Sequence, residues 1–145
     1  MNKEKRVWIA LFLALTLMLI LSGCAGLPKI AEISIVADPN PASYSSEDGK
    51  WHYTMTISES NGVGVTLTSV RFDGYNQTEQ LYQSQFLYEE DIIDWFGSNY
   101  ILAFSMLQPG VQYSGIAKYT IIKVEGIDDN DNPIEATVRI DYLPQ

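Results

Sequence analysis

From Trp51 to Ser58, apolar and polar side chains change places at every step. Trp51, Tyr53, Met55 and Ile57 fall on one side, and His52, Thr54, Thr56 and Ser58 on the other. A period of two belongs to a strand with one face buried; a helix of 3.6 residues per turn would scatter these side chains around its axis. Ile134, Ala136, Val138 and Ile140 repeat the pattern near the other end of the chain. The architecture therefore has to offer half-buried strands an apolar interior.

The intervening sequence supplies more of them. Residues 30–37 read as a first strand, with Ile33, Ile35 and Ala37 on one face. Asp38-Pro39-Asn40-Pro41 is expected to end it, because proline cannot donate to a ladder. Residues 42–49 read as a polar loop, and Glu59-Ser60-Asn61-Gly62 as a turn. In residues 63–72, Val65 and Leu67 share one parity, and Val70 and Phe72 the other. A bulge near Thr68-Ser69 would turn all four to one face, with Asp73-Gly74 closing the strand. Residues 75–88 are polar and aromatic and contain four glutamines, as an edge strand or a long loop would. Residues 89–97 begin with acids and end in Gly97, the signature of a short helix. A strand over 100–107 and a turn at Gln108-Pro109-Gly110 follow. A long hairpin then pairs 113–126 with 134–142. About seven short strands with little helix predict an all-β domain, a β-sandwich over 30–145.

Ahead of that domain lies a segment of another kind. Met1 to Arg6 is basic, and the 15 residues from Val7 to Leu21 are apolar but for Thr16. A helix of that length reaches about 22 Å, short of a hydrocarbon core of about 30 Å. A basic start and a short apolar core are the layout of a secretory signal. The chain has 18 acidic and 9 basic residues; the first 23 hold Glu4, Lys3, Lys5 and Arg6, which leaves 17 acidic and 6 basic residues and a net charge of −11 beyond them. Such a surface repels phosphate backbones and argues against nucleic acid as a partner. Cys24 is the sole cysteine, so no intramolecular disulfide can form.

Leu21-Ser22-Gly23-Cys24 resembles the lipobox of bacterial lipoproteins. The resemblance implies cleavage between Gly23 and Cys24, a diacylglycerol on the Cys24 sulfur and an acyl chain on its new amine, and a lipidated N-terminus and tether over 24–29. Ala25, where an aspartate would commonly retain such a protein at the inner membrane, resembles the outer-membrane default. In a cell without an outer membrane, the anchor would lie on the outer face of the cell membrane. Leu107-Gln108-Pro109-Gly110-Val111-Gln112-Tyr113 is similar to the segment before the sixth strand of fibronectin type III domains, which implies a tyrosine corner at Tyr113. Residues 126–140, an acidic turn followed by alternating apolar residues, resemble the last hairpin of bacterial immunoglobulin-like domains. Both imply an immunoglobulin-like or fibronectin type III-like sandwich.

Four groups of residues have the chemistry of candidate sites. Asp128, Asp129 and Asp131 cluster in a loop, as hard-cation ligands do; Pro133 and Arg139 stand where a calcium-hand loop from Asp128 would need glycine and glutamate. A simpler calcium site between loops, or a plain hairpin tip, are the two readings. Tyr75, Tyr82 and Tyr88, interleaved with Gln77, Gln80, Gln83 and Gln85, have the composition of a recognition surface. They equally fit an edge strand kept soluble by amides. His52, the only histidine, sits on a polar strand face with no evident nucleophile beside it. Glu89, Glu90, Asp91 and Asp94 open a helix, where its dipole favours them. The sequon Asn76-Gln77-Thr78 is read as chance. The expectation is a non-catalytic envelope module without a cofactor, binding a protein or glycan near the membrane. The alternative is an accessory subunit that recruits its partner by adding a strand to the 75–88 edge.

Overall fold

The computed structural model describes residues 28–143. The expected signal segment and Cys24 lie outside them. Nine strands and one helix follow in order: β1 (Ile33–Ser45), β2 (Lys50–Glu59), β3 (Val65–Tyr75), β4 (Leu81–Tyr88), α1 (Glu89–Phe96), β5 (Tyr100–Ile101), β6 (Met106–Leu107), β7 (Gly110–Tyr113), β8 (Tyr119–Asp128) and β9 (Pro133–Asp141). Seven of the strands have four or more residues. One sheet runs β1-β2-β6, with β7 also paired to β2; the other runs β4-β3-β8-β9, with β5 also paired to β3. All strand pairs are antiparallel. The chain is an all-β sandwich.

The alternation that opens the sequence does what its period requires. Trp51, Tyr53, Met55 and Ile57 are buried on the inner face of β2. They meet Val65, Leu67 and Val70 of β3, Ile122 and Val124 of β8, and Ile140 of β9 in one core. The expected bulge is present: the pairing of β3 with β8 shifts register between Leu67 and Ser69. It brings Val70 into the same core as Val65 and Leu67.

Four expectations are corrected. The two prolines do not end β1; pairing with β2 breaks after Asp38 and resumes at Ser43. Proline removes donors only locally, and Tyr44 still has Trp51 to pack on, with ring centroids 5.1 Å apart. Asp73-Gly74 does not close β3, because Tyr75 pairs with Tyr119 and stacks on its ring at 4.9 Å. The strand expected over 100–107 is two short pieces in different sheets, β5 on β3 and β6 on β2. Phe104, at φ 55°, turns the chain between them. The single strand expected over 113–126 is likewise divided: β7 lies in the first sheet and β8 in the second.

The two long sides of the sandwich differ. One is closed by β1 and β9. The Asn40 side-chain amide donates to the Arg139 carbonyl at 2.8 Å and its oxygen accepts from the Asp141 N–H at 3.0 Å. Ala42 then pairs with Tyr142. The other side is bordered by β4 and β7, which are not paired to one another.

Candidate functional site

The unpaired side is built from one continuous stretch of chain, β4 through β7. β4 and β5 follow the same edge of β3, and α1 is the excursion between them. Three acids, Glu89, Glu90 and Asp91, occupy its first turn. The Asp91 carboxylate accepts the Tyr88 N–H at 3.2 Å, which satisfies one of the donors a helix start leaves free. At the other end Gly97, at φ 80°, donates to the Ile93 carbonyl at 2.8 Å. The helix seals Ile92 into the core and leaves Trp95 half exposed, 6.4 Å from the Phe72 ring.

A small cavity of about 50 Å³ opens here between the sheets. Phe72, Trp95 and Tyr113 make its apolar wall, and Gln83, Gln85 and Gln112 line it with amides. Beneath them, the buried Tyr142 hydroxyl donates to Thr120 at 3.1 Å. Burial raises the Tyr53 phenol far above its ordinary range, so it stays a neutral hydroxyl. At the end near β4's start the Tyr82 and Tyr113 hydroxyls touch, joining one sheet to the other across the opening. Flat aromatic surface beside amides that donate and accept suits a peptide or a sugar.

The three tyrosines expected to form a surface are placed apart. Tyr75 stacks on Tyr119, Tyr82 holds the sheet-to-sheet contact, and Tyr88 lies exposed beside Phe86, with rings 6.4 Å apart. Along β3, Ser69, the partner of Tyr88, lies six positions from Tyr75, roughly 20 Å at about 3.4 Å per residue. Only Tyr82 borders the opening. Phe72, Trp95 and Gln112 were missed because they come from three elements, and no local pattern joins them. Gln83 and Gln85 carried the visible signal.

Tyr113 does not make the implied tyrosine corner. Its motif falls on β6 and β7, whereas the corner belongs just before the next strand. Its hydroxyl accepts from the Ala117 N–H at 3.3 Å, forward along the chain.

Asp128 is buried, and its carboxylate is occupied by protein donors. One oxygen accepts the Ala31 N–H at 3.0 Å; the other accepts the N–H groups of Asn130 and Asn132, each at 2.9 Å. The Asn132 amide adds a further contact at 3.1 Å. Burial opposes ionisation, but the N–H groups of Ala31, Asn132 and Asn130 outweigh it and hold the carboxyl at about 2. Asp129 accepts instead from the Tyr100 hydroxyl at 3.0 Å, and Asp131 is a turn residue at φ 62°. Among the described residues no three His, Cys, Asp or Glu side chains are gathered as a metal would need. His52 contacts Asp48 of its own hairpin, Nε2 to Oδ2 at 2.9 Å. That contact holds the Asp48 carboxyl below its ordinary value. The Asn76 side-chain oxygen caps its turn, accepting from the Thr78 and Gln80 N–H groups at 3.0 Å. No helix among the described residues is long and apolar enough to cross a membrane.

No protein-family model and no curated protein matches the chain. Solved structures resemble it to different degrees. A protein from Bordetella pertussis assigned as ApaA superposes with TM-score 0.51 at 10% identity, over 82% of this chain and 100% of that one. A CARDB domain from Pyrococcus furiosus, crystallised in complex with di-metal ions, gives 0.44 at 11% identity, over 82% and 99%. A FixG-related protein from Vibrio parahaemolyticus gives 0.40 at 14% identity, over 81% and 100%. At 10% identity the first likeness is one of fold alone.

Proposed function

We propose that this chain is a lipid-anchored, non-catalytic recognition module of a bacterial envelope, and that it binds a protein or glycan along the side bordered by β4 and β7. The observation that carries the reading is the asymmetry of the sandwich. Asn40 and Ala42 close one side onto β9, whereas the other keeps aromatic and amide side chains around an opening. The lipobox-like Leu21-Ser22-Gly23-Cys24 supports the anchor. The reading places the protein at the outer membrane, facing the periplasm or the cell surface, or on the outer face of the cell membrane where no outer membrane exists.

A second reading, an accessory subunit that recruits its partner by strand addition, draws on one further observation. β4 ends its sheet, so its outer backbone groups are available to an incoming strand. The two readings divide on what is retained. Glycan or peptide held by the isolated protein favours the module; a stoichiometric protein partner favours the subunit.

The test has two parts. Metabolic labelling with palmitate should mark the wild type and not Cys24→Ser, which should leave the membrane fraction. Affinity capture from the native envelope should then lose its ligand on Trp95→Ala and Gln85→Lys while both variants melt as cooperatively as wild type. Equal capture by those variants would remove the β4 side from the proposal.

A further inference from the structure

The end of the sandwich where the described chain begins exposes apolar side chains, as the opposite end does at Ile116 (75%) and Leu143 (59%), but here they flank the incoming chain. Ile30 is 54% exposed, Leu102 64% and Phe104 72%. All three lie in connections at one end. The Ile30 carbonyl accepts from the Asn61 amide at 2.6 Å, and the Phe104 ring lies over Gly62 of the same turn. Single exposed apolar residues are ordinary on a soluble domain. These three are set beside the point of emergence of the chain.

The loop that carries Leu102 and Phe104 is held from behind. The Phe104 N–H donates to the buried Glu59 carboxylate at 3.0 Å, and Ser105 N–H to the Leu102 carbonyl at 3.0 Å. Phe104 keeps a left-handed φ of 55°, which costs a bulky residue backbone energy, and its ring stays 72% exposed. The chain leading in is held as well. The Lys29 carbonyl accepts from the Asn130 amide at 2.8 Å, and the Ala31 and Glu32 N–H groups are taken by Asp128 and Glu59 at 3.0 and 3.3 Å. Counting from Cys24, five residue steps reach Lys29, roughly 17 Å at about 3.4 Å per residue.

We propose that this end of the domain seats on the lipid bilayer, with Leu102 and Phe104 entering the interfacial region beside the anchor. The proposal rests on the reading that Cys24 is lipidated, which fixes how far the domain can stand from the membrane. Asp129 and Asp131 at the same end favour a zwitterionic surface over an anionic one. Turns 45–49, 76–80 and 114–118 then point away from the membrane, and the β4 side stands upright beside it.

Because the sole native thiol is consumed by the anchor, a second cysteine can be labelled alone. Full-length Phe104→Cys and Leu102→Cys proteins, with Ile116→Cys as a control from the opposite end, are spin-labelled in phosphatidylcholine vesicles. Collision with oxygen is compared with collision with a water-soluble nickel chelate. The expected result is a severalfold higher oxygen-to-nickel ratio at 102 and 104 than at 116. Equal ratios on protein that floats with the vesicles would overturn the seating and leave the anchor intact. Protein that fails to float, with no lipid on Cys24, would overturn both.

Discussion

Two buried carboxylates organise the end at which the chain enters the domain. Glu59 accepts the N–H groups of Asn61, Gly62 and Phe104 at 2.8, 2.9 and 3.0 Å, and that of Glu32 at 3.3 Å. Burial opposes its ionisation, but those donors hold its carboxyl below the ordinary value. Hydrogen bonds to charged groups contribute about 1.5–3 kcal/mol each, so Glu59→Ala should cost about 3 kcal/mol or more in chemical denaturation. Asp128 adds a pH dependence of known sign. Its folded value of about 2 lies below its ordinary 3.8, so its stabilisation is full above that value and is lost as pH falls toward about 2. Melting temperature should drop across that window, and by less in Asp128→Asn, which should already be less stable at neutral pH. Calcium or a chelator should leave the melting temperature unchanged, since Asp128 spends its oxygens on N–H donors; a calcium-dependent rise would show that the loop rearranges to bind. Loop composition drew attention to Asp128 as a ligand. Its partner Ala31 lies 97 residues away, a separation no local motif reveals. Glu59 went unnoticed for the same reason, as one acid in an ordinary turn.

At the scale of elements, parity was the legible quantity. The alternation of β2 and the parity switch in β3 located the inner face and the bulge, because burial imposes them directly. Deleting Thr68 removes the extra residue, so Val70 and Phe72 fall on the parity of Val65 and Leu67 with no bulge; cooperative unfolding should persist, and its loss would show that the bulge itself is required. Helix α1 was legible through its acids and Gly97. Gly97→Ala meets no neighbour, so its cost should be backbone strain alone, about 1 kcal/mol in chemical denaturation. What parity does not encode is which sheet a short strand joins. The stretch from Tyr100 to Tyr113 reads as a strand on either side of the turn at Pro109, yet a further break at Phe104 divides it into three pieces across two sheets. That choice is made by long-range pairing with β2 and β3. The tyrosine-corner motif misled for a related reason: its spacing was present, but its strand was the one before.

For the whole molecule, the decisive feature is that the two sides of one sandwich are finished differently. The closed side depends on Asn40, whose side chain serves β9 as a strand would; the open side keeps Trp95, Phe72 and three glutamines at its margin. Anchored by five residues at one end, such a domain would offer that side to a partner lying along the membrane. The most direct test places a photo-crosslinking residue at Gln85 of the full-length protein in its native envelope, with Thr137 on the outer face of β9 as control. The account expects one dominant crosslinked partner from position 85, little from 137, and none from either in the Cys24→Ser background. Equal yields from the two positions, or a partner captured only through 137, would contradict it.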